Sequence, residues 1–314
     1  MEVSRSQYNA YRGSMKHLVS MLGDATMTKI RTADIQRVVL SLADFNHNTK
    51  KPASKKTLKH VRLIASQIFQ LAIENRVLDF NPAQAVKIPN NAPQDKRRAL
   101  TDEERQWILN TEHRAKRPAM IMMFAGLRRG ETISLTWNDI DLENRTISVN
   151  KTAEKASNQF AVKDSAKTEA GLRIVDIPQV LADYLQAEKR EGIHVCLNAQ
   201  GKMHTESSWV RMWESYLSDL NIRYGDFSQY LKKPKSKFDP GGVPFVIPRI
   251  TPHWLRHTYA TMLYFAGVDV LTAKEQLGHA DAHTTLQIYT HLDKTYKRKA
   301  MSKLDDYLNK AVGE

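Results

Sequence analysis

The chain has 314 residues, 41% hydrophobic and 26% charged, values that exclude a disordered chain and leave room for two domains. Lys and Arg number 47 against 34 Asp and Glu, a net charge of +13, which indicates a polyanionic partner, although a solvated basic surface would give the same charge. A single cysteine, Cys196, excludes an intramolecular disulfide, and the lack of a signal peptide or an apolar run of about 18 residues predicts a cytoplasmic protein with no membrane span.

Residues 1–89 are predicted to form a helical domain. Apolar residues recur there at helical spacing, and Thr32 is the expected N-cap of the second helix. The predicted helices cover residues 4–22, a stretch from Thr32 to about residue 42, and residues 54–76.

Positive charge is concentrated in this helical region. Residues 1–90 contain 14 Lys and Arg against 6 Asp and Glu, an excess of eight within a total of +13. Basic side chains that meet phosphates release counterions and bind DNA in a salt-dependent manner. An exposed, solvated helix face is the alternative, but the concentration of charge in one domain favours DNA contact. The candidate DNA-binding residues are Lys55, Lys56, Lys59 and Arg62.

A polar linker over residues 90–100, which contains Pro93, separates the helical domain from a second domain over residues 101–314. Thr101 and Glu104 form a capping-box pattern that begins the first helix of that domain. The second domain is predicted to be mixed α+β, with a small antiparallel three-stranded sheet, so the fold class is mainly α. Its predicted strands cover residues 145–150, 159–163 and 171–177, and a C-terminal amphipathic tail helix begins at about residue 292.

His253 and Arg256 form the first candidate catalytic pair. They are three residues apart, so both project from one helix face, and Pro252 marks a helix start, where backbone N–H groups favour anions. A guanidinium offers a planar fork that matches phosphate oxygens. His253 and His257 could share a zinc ion, but Arg256 would oppose it and no HExxH pattern is present, so neither a metal nor another cofactor is expected.

Arg128 stands between Gly126 and Gly130, and Glu131 follows three residues later. Glycines let the backbone turn sharply and approach a ligand closely, and Glu131 could hold the guanidinium in place. Tyr289 follows a short helix near the C-terminal end of the fold, and a phenol needs a base or a cationic neighbourhood to act as a nucleophile.

Four segments in this order resemble the active-site motifs of tyrosine recombinases, and the likeness covers nearly the whole chain. They read AGLRRGE, AKTEAGLRIVDIP, HWLRH and LGHADAHTTLQIYTH. The layout is similar to that of phage and conjugative-transposon integrases such as lambda integrase. The catalytic residues that the resemblance implies are Arg128, Lys167, His253, Arg256, His279 and Tyr289, with Glu131 as a supporting acid.

The resemblance implies a site-specific DNA recombinase that acts for a mobile element, in integration or excision, through a 3′-phosphotyrosyl intermediate. Strand cleavage and religation of the type IB topoisomerase kind, or DNA binding without catalysis, are the alternatives. The implied partners are double-stranded DNA, a homotetramer assembled on paired DNA sites, and accessory DNA-bending or directionality proteins in a bacterial cell or phage-infected host. Residues 1–89 resemble the core-binding domain of such integrases, and no arm-binding domain is expected before them.

Overall fold

A computed structural model describes residues 5–94, 98–156, 159–164, 172–230, 234–239 and 242–290; Lys167 and the predicted tail helix from about residue 292 lie outside these ranges. The chain divides into two compact units, residues 1–96 and 97–314. Within the described ranges, no helix has both the length and the apolar character needed to cross a bilayer.

In its described residues the first unit has three α-helices around an apolar core, namely α1 (Arg5–Leu22), α2 (Thr32–Asp44) and α3 (Lys55–Glu74). Helix α2 begins at Thr32, so the prediction that Thr32 is its N-cap was wrong by one residue. The N-cap is Arg31, whose backbone N–H donates to the Asp34 carboxylate at 2.9 Å. The first residues of the predicted linker pack on this unit, because the Lys55 N–H donates to the Pro93 carbonyl at 2.7 Å and Ala92 is buried in its core.

The second unit contains eight of the described helices around a larger core. They are α4 (Asp102–Asn110), α5 (Lys116–Phe124), α6 (Arg129–Ser134), α7 (Gln179–Ala187), α8 (Glu206–Tyr224), α9 (Pro252–Phe265), α10 (Val270–Leu277) and α11 (Ala282–Thr290). Helix α5 is the central element: its apolar run is almost completely buried, and it packs against α9. The Leu100 N–H at the start of this unit donates to the Thr258 hydroxyl on α9 at 2.8 Å.

The described strands form two small antiparallel sheets. Strands β1 (Ile140–Asp141), β2 (Thr146–Val149) and β5 (Arg173–Asp176) make a three-stranded sheet in the order β1-β2-β5, and β3 (Lys151–Ala156) pairs with β4 (Gln159–Asp164). The predicted mainly α fold with a small antiparallel sheet is confirmed, but the predicted strand membership was wrong. The predicted strand over 159–163 does not join the three-stranded sheet but pairs with β3. The sequence analysis did not predict β3, because its side chains do not alternate between apolar and polar and only Ala153 among them is buried.

The β3–β4 hairpin supports helix α6, which follows Arg128. A Cβ atom added at Gly130 would lie 2.6 Å from the Thr152 hydroxyl and 2.7 Å from the Ala153 carbonyl oxygen. Glycine is therefore required at this position by the close approach of helix and strand. This contact fixes the helix that carries Glu131.

Candidate active site

The C-terminal end of helix α10 is surrounded by three guanidinium groups, which we call the arginine cluster (Arg128, Arg173 and Arg256). Three consecutive backbone carbonyls at this helix end each accept a hydrogen bond from a different arginine of the cluster. The pairs are Gln276 with Arg173 Nε at 3.2 Å, Leu277 with Arg256 Nη2, and Gly278 with Arg128 Nη2 at 2.6 Å. The unsatisfied carbonyls of a helix end carry partial negative charge, so this end favours cations.

Arg128 immediately precedes helix α6 and is held by Glu131 twice. Its backbone N–H donates to Glu131 Oε2 at 2.7 Å, and its Nη1 donates to Oε1 at 2.7 Å. The Arg128 side chain is nevertheless 43% exposed. The same carboxylate therefore fixes both the backbone and the guanidinium of an arginine that solvent can reach.

Glu131 is shared between two arginines. Its side chain is 5% exposed, and Arg173 donates to its two carboxylate oxygens at 3.1 and 2.8 Å. Burial disfavours the carboxylate, but the hydrogen bonds and charge of Arg173 and the charge of Arg128 outweigh it and lower the pKa of Glu131 to about 2. Glu131 is thus ionised at any physiological pH.

Arg173 was missed by the sequence analysis, which took only Lys167 from the AKTEAGLRIVDIP segment. Its side chain is 7% exposed and joins β5, α6 and α10 through Glu131 and the Gln276 carbonyl. The available signal was an arginine at the start of a short strand predicted to pack on the core, since a buried arginine is almost always paired.

Arg256 lies on the second turn of α9 and is 5% exposed. Its Nη1 donates to the Gly126 carbonyl at 2.5 Å and its Nη2 to the Leu277 carbonyl. Burial first, and the positive charge of Arg128 second, lower the pKa of Arg256 to about 9, so it remains protonated near pH 7. Glu131 supplies one negative charge against the three of the arginine cluster, and the excess positive charge favours an anionic ligand.

We expect Gly126→Ala to destabilise the protein and to displace Arg256. Gly126 has φ +65°, and a Cβ atom there would lie 2.3 Å from the Tyr259 ring, which is buried. The free energy of unfolding, measured in urea, should fall by several kcal/mol. About 1 kcal/mol of this comes from placing a Cβ atom on a left-handed backbone, and the rest comes from overpacking against the Tyr259 ring. Gly201→Ala is the matched control, since Gly201 has φ +68° and nothing within 4 Å; equal losses in the two variants would contradict this account.

Two candidate histidines lie near each other, and one of them, His279, lies beside the arginine cluster. His253 is exposed at the start of α9, and His279 directly follows Gly278, which ends α10 with φ 60° and ψ 46°. The Nδ1 atom of His279 is 2.8 Å from the Thr285 hydroxyl. Burial, and then the charges of Arg256 and Arg128, lower the pKa of His279 to about 4, so the imidazole is neutral near pH 7.

This pKa predicts that His279 does not titrate between pH 6 and 8 in the DNA-free protein. Its ring-proton resonance, assigned by comparison with His279→Gln, should shift with a midpoint near pH 4. Because the unfolded chain takes up this proton near pH 6.5, the contribution of His279 to stability should decline as the pH falls from 6.5 towards 4. A midpoint near 6.5 would contradict burial against the arginine cluster.

The structure brings together Arg128, Glu131, Arg256 and His279, and His253 is close enough to His279 to affect its pKa. Tyr289 belongs to the last turn of α11, and its side chain, like all of Lys167, is outside the described part. Their presence in the site remains a prediction. Besides Arg173, the sequence analysis missed Thr285, which is completely buried.

The four candidate DNA-binding residues lie on the first turns of α3 in the helical unit. Lys56 and Lys59 are exposed, whereas Lys55 is half-buried. Arg62 is also half-buried, and its Nη1 donates to the Val86 carbonyl at 3.1 Å. Lys56 and Lys59 are therefore the members of this set best placed for a polyanion, while Arg62 also has a structural role.

Comparisons with known proteins match both units of this chain. The phage integrase family model matches residues 93–296. A protein of Caldanaerobacter subterraneus subsp. tengcongensis described as "Tyrosine recombinase XerC-like" is 28% identical over 94% of this chain and 75% of its own length. The ICEBs1 integrase of Bacillus subtilis (strain 168) is also 28% identical, over 88% of this chain and 73% of its own.

Solved structures show the same fold. The Tn1549 transposon integrase in complex with a circular intermediate DNA superposes with a TM-score of 0.73 and 20% identity, covering 96% of this chain and 95% of that one. A lambda integrase dimer bound to a COC′ core site gives a TM-score of 0.58 and 18% identity, covering 92% and 72%.

Proposed function

This chain belongs to the phage integrase family and is a tyrosine-type site-specific DNA recombinase, and we propose that Tyr289 is its nucleophile. The observation that carries the proposal is the arginine cluster, because it has excess positive charge at one helix end. Helix α11, which contains Tyr289, begins four residues after Gly278 at that end.

Arg128 and Arg256 would bind the two non-bridging oxygens of the scissile phosphate. Each guanidinium has five N–H donors, and each gives two to protein acceptors, so donors remain for a ligand. The groups are held by Glu131 and by backbone carbonyls before DNA arrives, and donors that are fixed in advance stabilise the charge of a transition state without reorganisation.

The tyrosine oxygen would attack phosphorus, forming the 3′-phosphotyrosyl bond and breaking the bond to the 5′-oxygen. His253 would take the proton of the phenol, and Lys167 would give a proton to the leaving 5′-oxygen. His279, neutral near pH 7, would donate a hydrogen bond to the phosphate. The new bond conserves the phosphodiester energy, so the freed 5′-hydroxyl of a partner strand can reverse the attack without ATP or another cofactor.

Double-stranded DNA is the partner, and we propose that four copies of the chain assemble on paired DNA sites. A lambda integrase tetramer bound to a Holliday junction shares the fold, with a TM-score of 0.58. Lys56 and Lys59, together with Lys55 and Arg62, would contact the DNA backbone from the helical unit. DNA-bending or directionality proteins would complete the assembly in the bacterial cytoplasm. The relatives favour recombination over topoisomerase-like relaxation or DNA binding alone.

A suicide substrate tests the nucleophile directly. A duplex that carries the element's own attachment site is nicked close to the scissile phosphate, so that the short 5′-hydroxyl fragment diffuses away after cleavage. We expect a covalent protein–DNA adduct on a denaturing gel, with the nucleotide mapped to the peptide that contains Tyr289. An adduct on another residue would show that Tyr289 is not the nucleophile.

A further inference from the structure

Thr285 links the helix of the proposed nucleophile to His279. Its residue surface is 0% exposed, and its hydroxyl oxygen lies 2.8 Å from the Nδ1 atom of His279. We propose that Thr285 is a positioning residue that donates this hydrogen bond to Nδ1 and so keeps the single proton of the neutral ring on Nε2, as a donor for an anionic ligand. The inference rests on the proposed function insofar as it takes that ligand to be the DNA phosphate.

The direction of the hydrogen bond follows from charge and valence. A neutral imidazole has one N–H and one acceptor nitrogen, and the partner of one nitrogen decides which form is present. If Nδ1 donated to Thr285, Nε2 would present a lone pair, which repels a phosphate oxygen. If Thr285 donates, Nε2–H attracts it. The arginine cluster keeps His279 neutral and attracts the anion, so the tautomer decides whether the ring helps or opposes binding.

The same bond also places helix α11. Thr285 lies on its first turns, and Tyr289 follows one turn later. Helix α11 further packs against α9 and α10 through Ile288 beside Leu277 and Ala260. His279 directly follows the carbonyls that hold the arginine cluster. The Thr285 hydroxyl therefore connects the backbone that carries the nucleophile to the helix end that orients the arginines.

Thr285→Val removes the hydroxyl and nearly preserves the shape. We expect the single-turnover rate of covalent adduct formation to fall about 10- to 100-fold, the effect of misdirecting one hydrogen bond to a charged group. Thr285→Ser keeps the hydroxyl and should stay within about threefold of the wild-type rate. Thr284→Val is the matched control, because Thr284 is exposed on the same helix and should change the rate less than about twofold.

Two further measurements separate positioning of His279 from a general loss of packing. In a His279→Gln background, Thr285→Val should cause no additional loss, because its effect passes through the imidazole. In the DNA-free protein, ¹⁵N NMR should find His279 protonated at Nε2 and unprotonated at Nδ1. Thr285→Val should shift this population towards the other tautomer, and Thr285→Ser should restore it.

An equal loss of rate in both backgrounds, or a wild-type His279 protonated at Nδ1, would overturn the proposal. The tautomer is measured without DNA, so its result stands even if the wild-type protein forms no adduct. Failure of adduct formation would count against Tyr289 as the nucleophile, whereas an unchanged tautomer in Thr285→Val would count against the role of Thr285.

Discussion

The variant Tyr289→Phe is expected to form no covalent adduct with a suicide substrate while binding the same DNA with nearly wild-type affinity. The phenol oxygen is the only atom removed, and it is the atom that would form the bond to phosphorus. DNA affinity is supplied mainly by Lys and Arg side chains that meet phosphates and release counterions, and these are unchanged. The two measurements are denaturing gel analysis of the adduct and an electrophoretic mobility shift at fixed salt.

Tyr264→Phe is the matched control for this variant. Tyr264 is a second tyrosine of the same unit, on α9, half-buried beside the Phe265 ring. Its variant should form the adduct at close to the wild-type rate. A covalent adduct trapped with Tyr289→Phe would show that another residue is the nucleophile. Loss of the adduct in Tyr264→Phe, with DNA binding intact, would assign that role to Tyr264.

Glu131→Gln is expected to have the second largest effect, on stability as well as on cleavage. Removing one partner of a buried ion pair leaves the other uncompensated and typically costs about 3–5 kcal/mol; here Arg173 is buried and Arg128 is partly exposed. Cleavage should fall about 100-fold, the order of loss that follows a displacement of about 1 Å in a positioning group. Urea unfolding and single-turnover cleavage measure the two effects.

Acid should reproduce part of this loss of stability. The pKa of Glu131 is lowered from 4.5 to about 2 in the folded protein, so its contribution is fully present above about pH 4.5. It should decline as the pH falls towards 2, by roughly 3 kcal/mol in total. Glu131→Gln should lack this component of acid sensitivity.

Glu104→Gln is the control that separates stability from catalysis. Glu104 is also 5% exposed, is bonded by both Nη atoms of Arg98, and completes a capping box at the start of α4. The two glutamates therefore share a buried carboxylate, an arginine partner and a capping role, but Glu104 pairs with Arg98, which is 38% exposed and does not belong to the arginine cluster. Glu104→Gln should lower stability but cleave normally once folded; a similar loss of cleavage in Glu104→Gln would remove the special role of Glu131.

Helical spacing allowed some of the site to be predicted from the sequence. His253 and Arg256 lie three residues apart, and Pro252 marks the first turn of α9, so their common origin on one helix start was already determined. The short loop between α5 and α6 similarly determined that Arg128 lies close to Glu131. In both cases the two residues are joined by local backbone geometry, which sequence periodicity reports directly.

Strand β3 and the burial of Arg173 could not be predicted from sequence periodicity. Strand β3 is held by its pairing with β4 rather than by an alternating apolar face, so it carries no periodic signal. Arg173 contacts Glu131 across 42 residues of sequence. Whether an arginine in a strand is exposed or buried depends on what packs over it, and that is a property of the fold.

The sequence alone determined which chemical groups the protein has, their order along the chain, and the family that this order indicates. Only the tertiary structure decided that three arginines meet at the end of α10. The hydrogen bonds that hold them join residues far apart in the sequence: Arg128 and Gly278 are separated by 150 positions, and Arg256 and Gly126 by 130. The physical reason is that their acceptors are backbone carbonyls. Every residue has a carbonyl group, so no residue type marks these acceptors in the sequence, and only the folded backbone places them.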